Sequence, residues 1–317
     1  MYFLSHQMFE QPNFVITVLS TNKTSENQAL VQDILDAIEH NGAFIKNVEQ
    51  LSSKTSDIFA TDITFQNIGV AQGRELLTYF QREYHLPFDF AVQEAENRRK
   101  KLLISDMDST IIDQECLDEI AGFAGLKAEV SAITERAMNG ELDFKLALRE
   151  RVGLLTDMSE SVLEQVFAEK ITFMEGAYEL VQTMRANGAK CVLVSGGFTF
   201  FTSRVAERIG FHMDEANVLL AENGKLTGKV KEPILDSTSK LNALKFYAEE
   251  QNLGLSQTLA VGDGANDLPM ILEAGLGVAY MAKPKVKEAA PYKVDIPNLK
   301  TLLYIQGYKE QEIITAK

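Results

Sequence analysis

Leu102-Leu103-Ile104-Ser105-Asp106-Met107-Asp108-Ser109-Thr110 decides how this 317-residue chain is read. The apolar run 102–105 predicts a short strand buried on both faces. Asp106 and Asp108 follow at its end, one residue apart, where both carboxylates can point into one crevice. Like charges crowded there repel unless a cation is bound or one of them is protonated. That suits a division of labour in which one carboxylate attacks while its neighbour moves protons. A D-x-D pair is common on solvated loops, so its weight rests on the other strand ends of the chain.

Downstream, residues from about 115 to 170 carry apolar side chains at helical spacing, broken at Gly125 and at Asn139-Gly140. This block is too long for one crossover and reads as an inserted cap. Helices are expected at 175–187, 199–209, 239–251 and 267–274, and strands at 190–194, 258–261 and 276–279. Asn223-Gly224, between alternating residues, predicts a hairpin. Strands alternating with helices imply an α/β domain with a parallel sheet and site loops at the strand carboxyl ends.

Two further loops answer that description. Ser195-Gly196-Gly197 follows Cys191-Val192-Leu193-Val194 and is read as opening a helix, where a hydroxyl and free amides can grip phosphate oxygens. Gly262-Asp263-Gly264-Ala265-Asn266-Asp267 ends another buried strand. Its glycines permit a tight turn, and Asp263 and Asp267 offer the hard oxygens that Mg²⁺ prefers. Asp267 is also expected as a helix N-cap. Lys240, near the start of the intervening helix, can add a positive charge to the same phosphate.

Upstream, strands at 14–19, 43–51, 57–65 and 87–92 alternate with helices at 26–40 and 74–84. The βαββαβ order is the ferredoxin-like arrangement and resembles an ACT-type regulatory domain. Its first loop, Ser20-Thr21-Asn22-Lys23-Thr24, lacks the glycine usual in effector-binding ACT domains. That favours dimerisation or scaffolding over effector binding. The charged stretch 94–101 reads as a solvated linker, giving domains of 1–95 and 96–317 with a cap at about 115–172.

Composition narrows the chemistry. The chain is 45% hydrophobic and 24% charged, as an ordinary soluble globular protein is, and its formal net charge is −14. General affinity for nucleic acid or anionic membrane is not expected, so an anionic ligand must be met locally, by a few cations or a metal. Cys116 and Cys191 cannot form a disulfide framework and read as reduced core thiols. No secretory signal or membrane-length apolar run is evident, which predicts a cytoplasmic protein. His6, His40, His85 and His212 show neither metal-ligand spacing nor a Ser/His/Asp set, and no P-loop motif occurs. Catalysis must rest on carboxylates, lysine and metal.

In that order, D-M-D-S-T after a strand, V-S-G-G, a downstream lysine and G-D-G-A-N-D resemble the motifs of the haloacid-dehalogenase superfamily of phosphatases, over about residues 100–295. The second acid, Asp108, points away from the dehalogenase branch. In the cap, Glu115, Phe144 and Arg151 match substrate residues of the phosphoserine phosphatase family. The resemblance implies a Rossmann-like parallel sheet with a helical cap, hydrolysing O-phosphoserine to serine and phosphate as the last step of serine biosynthesis. It implies Asp106 as nucleophile, forming an aspartyl-phosphate, and Asp108 as acid and then base. One Mg²⁺ would be held by Asp106, the Asp108 backbone carbonyl and Asp263, with Asp267 reaching it through water.

Ser195, Gly196 and Lys240 would stabilise the transferring group, and Asn266 would position the substrate. Arg151 would take the substrate carboxylate as a planar bidentate donor and Glu115 the ammonium. Met138 and Phe144 read as core residues at helical spacing, with an added role in shielding the site from water. The expected partner is this small molecule, with a homodimer contact through the N-terminal domain. The nearest alternative is a phosphatase for another small phosphate, such as phosphohomoserine or a sugar phosphate, and a sugar phosphate would not need Glu115 and Arg151 as a zwitterion clamp. A sensor acting through the N-terminal domain would not need the catalytic set.

Overall fold

Six elements open the chain: β1 (Phe14–Thr21), α1 (Thr24–His40), β2 (Phe44–Gln50), β3 (Ile58–Gln66), α2 (Val70–Tyr84) and β4 (Asp89–Glu94). The computed structural model describes residues 12–21, 24–84, 88–139, 141–296 and 298–315, without the side chains of residues 24, 84 and 138. The expectations for Met138, His6, His85 and the middle of the first loop therefore lie outside the described residues. The four strands form an antiparallel sheet in the order β2-β3-β1-β4, the ferredoxin-like order. Ile16 of β1 lies opposite Ile63 of β3 and Val92 of β4. These residues pack against Ile34 and Ile38 of α1 and Leu77 and Phe80 of α2.

The second face of this sheet holds a charged cluster. Asp62 accepts from Thr17 Oγ1 at 2.7 Å and from both terminal nitrogens of Arg98 at 2.6 and 3.1 Å. Arg98 also donates to Ile305 O at 3.0 Å, within a unit formed by the residues up to Arg98 with Tyr304–Glu310. The stretch 94–101 is therefore solvated only in part: Glu94, Glu96, Asn97 and Lys101 are exposed, as its composition predicts, and others are not. Arg98 is largely buried, and Lys100 is buried and donates to Ser256 O at 2.9 Å. Composition cannot reveal which carboxylates and carbonyls come within reach of a basic run after folding.

The second unit comprises Arg99–Leu303 and the residues from 311 onward. It begins with β5 (Leu102–Ser105) and the cap helices α3 (Cys116–Phe123), α4 (Lys127–Met138), α5 (Phe144–Gly153) and α6 (Val162–Glu169). Gly125, at φ +73°, turns the chain after α3, and Asp143 caps α5 by accepting from Leu146 N at 2.9 Å. Then come α7 (Ala177–Ala186), β6 (Lys190–Phe198), α8 (Thr199–Ile209), β7 (Met213–Asn217), β8 (Leu219–Glu222) and β9 (Lys225–Val230). Asn223 and Gly224, both at positive φ, make the β8–β9 turn. Next are α9 (Ser237–Glu250), β10 (Thr258–Gly262), α10 (Leu268–Glu273), β11 (Leu276–Tyr280) and, beyond a short helix, β12 (Tyr292–Val294).

Six of these strands form one parallel sheet, β12-β11-β10-β5-β6-β7. β10 and β11 are buried throughout, as a sheet covered on both faces requires. Leu102, Ile104, Val192 and Ala260 pack against Leu244 and Tyr247 of α9 and Met270 and Ile271 of α10. After β5 the chain builds the sheet to one side through β6 and β7, then returns to add β10, β11 and β12 on the other. The carboxyl end of β5 is thus the topological switch point, where open α/β sheets leave a crevice. Asp106 stands there.

Two details differ from the expectations of the sequence. Ser195-Gly196-Gly197 does not open a helix: it continues β6 through a register shift, and α8 starts only at Thr199. β7 has no apolar run to announce it, because as an edge strand its Asp214 is served by the Thr202 and Ser203 hydroxyls. Both cysteines are free and buried. No helix among the described residues is long and apolar enough to cross a membrane.

Candidate active site

The carboxyl end of β5 is held against β10, with Asp106 N donating to Val261 O at 3.0 Å. Asp106 Oδ1 accepts from Met107 N at 2.8 Å and lies 2.6 Å from Lys240 Nζ. The described contacts of this carboxylate all fall on Oδ1. Lys240 reaches it from the second turn of α9, whose start is fixed by reciprocal capping between Asp236 and Ser239. The same ammonium lies 2.6 Å from Asp267 Oδ1, and Asp267 Oδ2 accepts from Gly264 N at 3.0 Å. Gly262 must be glycine for this, since a Cβ there would sit 2.4 Å from Asp267 Cγ.

Asp106, Asp263 and Asp267 are buried, and each offers an oxygen within 4.8 Å of the others. Three hard carboxylate oxygens so gathered fit a hard divalent cation. Without one, the charges disfavour one another. Burial first, then the Asp267 charge, raise Asp106 well above the usual carboxylate range, with Lys240 opposing. The same two causes push Asp263 up to about 7. Burial works against the Lys240 charge, but Asp106 and Asp267 outweigh it and hold the ammonium above its ordinary range.

Asp108 points elsewhere. Its Oδ1 accepts from Cys116 N at 2.8 Å, one of the unpaired amides at the start of α3. Its Oδ2 accepts from Ser195 Oγ at 3.1 Å, and Ser195 Oγ in turn accepts from Gly197 N at 2.9 Å. Burial raises Asp108, and these hydrogen bonds oppose the rise. A Cβ on Gly197 would meet Asp108 Oδ2 at 2.9 Å, and one on Gly196 would meet Phe144 Cζ at 2.6 Å. The two glycines admit the carboxylate from below and the cap ring from above.

One cavity brings together Asp106, Asp108, Glu115, Phe144, Arg151, Ser195, Gly196 and Asn266. Lys240, Asp263 and Asp267 stand behind Asp106 and do not line it. Glu115 Oε1 accepts from Ser109 Oγ at 2.8 Å; burial, then Asp108, raise its carboxyl well above the usual range. Asn266 Oδ1 is buried with no donor among the described residues. Arg151 is 3% exposed and has no carboxylate within ion-pair distance among the described residues. Its Nε donates to Ala147 O at 3.2 Å and its Nη1 to Thr134 Oγ1 at 2.8 Å.

Asp118 and Thr134 lie outside the sequence motifs, and Ser109 lies within D-M-D-S-T, where the motif alone gives it no role. Asp118 and Thr134 carry one available signal: each is a polar residue on a buried cap position, and Thr134 lies one turn beyond Val130.

A parallel sheet with buried carboxylates at its switch point, a lysine behind them and a helical cap above defines a capped hydrolase of the haloacid dehalogenase-like class. The profile of that family, haloacid dehalogenase-like hydrolase, matches residues 103–272. Phosphoserine phosphatase from Saccharomyces cerevisiae is 34% identical over 303 residues, spanning 95% of this chain and 98% of that one. A solved phospho-aspartyl intermediate analogue of phosphoserine phosphatase is 40% identical, with a TM-score of 0.62 over 65% of this chain and 98% of that one. A haloacid dehalogenase family hydrolase from Salmonella enterica serovar Typhi is 27% identical, with a TM-score of 0.79 over 92% of this chain and 98% of that one. The chain belongs to the phosphoserine phosphatase family of haloacid dehalogenase-like hydrolases.

Proposed function

We propose that the protein hydrolyses O-phosphoserine to serine and phosphate through an aspartyl-phosphate on Asp106, as the last step of serine biosynthesis. The observation that carries this reading is Arg151, a buried guanidinium without an anionic partner among the described residues, in one cavity with Asp106, Asp108 and Glu115. A substrate with phosphate at one end and ammonium and carboxylate at the other satisfies every group there. Phosphate faces Asp106, the carboxylate Arg151, and the ammonium Glu115. An ammonium also lowers the cost of ionising Glu115, which burial otherwise disfavours.

Asp106 Oδ1 is anchored by Met107 N and Lys240, so Oδ2 is the attacking oxygen. Lys240 opposes the effect of burial on Asp106, favouring its ionised form, and supplies positive charge beside the transferring group. Asp108 carries the proton for the leaving serine oxygen on Oδ2, because Oδ1 is held by a fixed α3 amide whereas Oδ2 meets only the rotatable Ser195 hydroxyl, which turns to the phosphate. Once that proton has left, Oδ2 takes one from the water that hydrolyses the acyl-phosphate. Ser195 Oγ and the Gly196 backbone bind phosphate oxygens, Asn266 orients the substrate, and Phe144 closes the cavity to water.

Asp106, Asp263, the Asp108 carbonyl and, through water, Asp267 would hold one Mg²⁺. When bound it neutralises phosphate charge and fixes the line of attack. In the N-terminal unit, β2 lies at the sheet edge with Phe44 and Val48 exposed, which supports a homodimer contact through an ACT-like domain. The two free, buried cysteines suit a reducing, cytoplasmic setting.

The test is turnover with phosphoserine and with phosphoethanolamine, which lacks the carboxylate. Arg151→Ala should cost about 100-fold in kcat/KM on phosphoserine and little on phosphoethanolamine. Asp106→Asn should abolish both turnover and phosphoenzyme. Full activity of Asp106→Asn, or equal losses on both substrates for Arg151→Ala, would refute the assignment.

A further inference from the structure

Arg151 can read a carboxylate only if its fork is aimed, and the cap contains a device that aims it. The guanidinium has five N–H donors. One goes to Ala147 O on its own helix and one to Thr134 Oγ1 on α4, which leaves three for the cavity. A threonine hydroxyl has one proton. Because Arg151 can only donate, the Thr134 proton must point away from it, and it goes to Asp118 Oδ1 on α3, with Oγ1 and Oδ1 2.7 Å apart. Asp118 Oδ2 accepts from Ser131 Oγ at 2.6 Å, so both its oxygens are acceptors, as an ionised carboxylate's must be. The other acceptor near Thr134 Oγ1, Val130 O, lies farther off at 3.1 Å and carries no charge.

Arg151, Thr134 and Asp118 are each at most 7% exposed, so water does not compete for these bonds. The order of donation is therefore fixed: Thr134 donates to Asp118, and a lone pair of its oxygen accepts the Arg151 N–H. Asp118 lies one turn after Glu115, so a single short helix carries both this anchor and the group proposed to take the substrate ammonium.

We propose that Thr134 and Asp118 are positioning residues for phosphoserine, a chain Arg151–Thr134–Asp118 that orients the guanidinium fork toward the substrate carboxylate. The proposal rests on Arg151 being the carboxylate reader. The chain touches no reacting atom, so its loss acts on binding of the carboxylate and not on phosphoryl transfer. Three variants separate this from a merely structural role. Thr134→Val keeps the shape and removes the hydroxyl, and Thr134→Ser restores it. Asp118→Asn adds an N–H that competes with Arg151 for Thr134 Oγ1.

Each variant is assayed in the full chain on phosphoserine and phosphoethanolamine, beside Arg151→Ala, with melting temperatures measured in parallel. Thr134→Val and Asp118→Asn should each raise KM for phosphoserine about tenfold while kcat stays within about twofold. Phosphoethanolamine kinetics should be unchanged, and Thr134→Ser should match the parent. A KM for phosphoserine that stays at the parent value in Thr134→Val, while Arg151→Ala still discriminates between the substrates, overturns the positioning role alone. So do equal losses on both substrates in Thr134→Val, or a Thr134→Ser variant that behaves like valine. If Arg151→Ala fails to discriminate, the carboxylate reading falls and the positioning role falls with it.

Discussion

Metal binding at this site should be coupled to proton release, on a scale the geometry sets. Asp106, Asp263 and Asp267 crowd their oxygens within 4.8 Å in a buried pocket, with Lys240 Nζ bonded to two of them. Burial, then repulsion from Asp267, pushes Asp263 from 3.8 up to about 7. A divalent cation must expel that proton before it can use the oxygen. For this one group the apparent dissociation constant grows as protonation increases, making Mg²⁺ binding about 100-fold weaker at pH 5 than at pH 8, or ~2.7 kcal/mol. About 0.9 proton should leave per ion at pH 6, against about 0.1 at pH 8. Asp106, raised by the same causes, adds to both figures.

The metal-free protein should show the complementary trend. Carboxyls raised in the folded state contribute their full stability below the ordinary range near 4. Asp263 loses its share as pH rises through about 7. Calorimetric titration in paired buffers of different ionisation enthalpy measures the affinity and the protons together, and melting curves with and without Mg²⁺ give the stability. A pH-independent affinity without proton release would falsify the picture of crowded carboxylates in which Asp106 and Asp263 hold protons.

Two further outcomes arise from close contacts. Lys240→Met leaves Asp106 and Asp267 buried without their shared ammonium, and should cost the metal-free protein ~3–5 kcal/mol in urea unfolding; a loss below ~1 kcal/mol would show that the pair is already neutral. Gly196→Ala puts a Cβ 2.6 Å from Phe144 Cζ and must displace the cap ring. It should lower kcat/KM about tenfold, with part of the loss recovered by adding Phe144→Leu. Unchanged kinetics in Gly196→Ala would mean that the ring does not seat on this glycine during turnover.

Local pattern is enough to read much of the molecule. The run Leu102–Ser105, the helix Thr199–Ile209 and the turn at Asn223-Gly224 lie where apolar period and turn chemistry predict them. Ser195-Gly196-Gly197 misleads a local reading because a Gly-rich step after a strand resembles a helix start. What prolongs β6 beyond this step is Asn217 of β7, which pairs with Phe198 and donates its side-chain amide to Gly196 O. The basic stretch 94–101 misleads for the same kind of reason: Asp62, which buries Arg98, lies far back in β3.

Two carboxylates after a buried strand, a second acidic loop after another, and the serine and lysine between them are properties of the sequence, since strand ends in an alternating α/β pattern must share one edge of the sheet. Which oxygen each carboxylate leaves free is not. Lys240 and Met107 N converge on Asp106 Oδ1, the α3 amide takes Asp108 Oδ1, and Thr134 and Asp118 come together beneath Arg151 only when three cap helices pack. Periodicity is short-range and survives in one dimension, whereas a hydrogen bond between residues distant in sequence is decided by how elements pack. The sequence alone therefore names the groups that do chemistry, and the tertiary structure decides how each one is aimed.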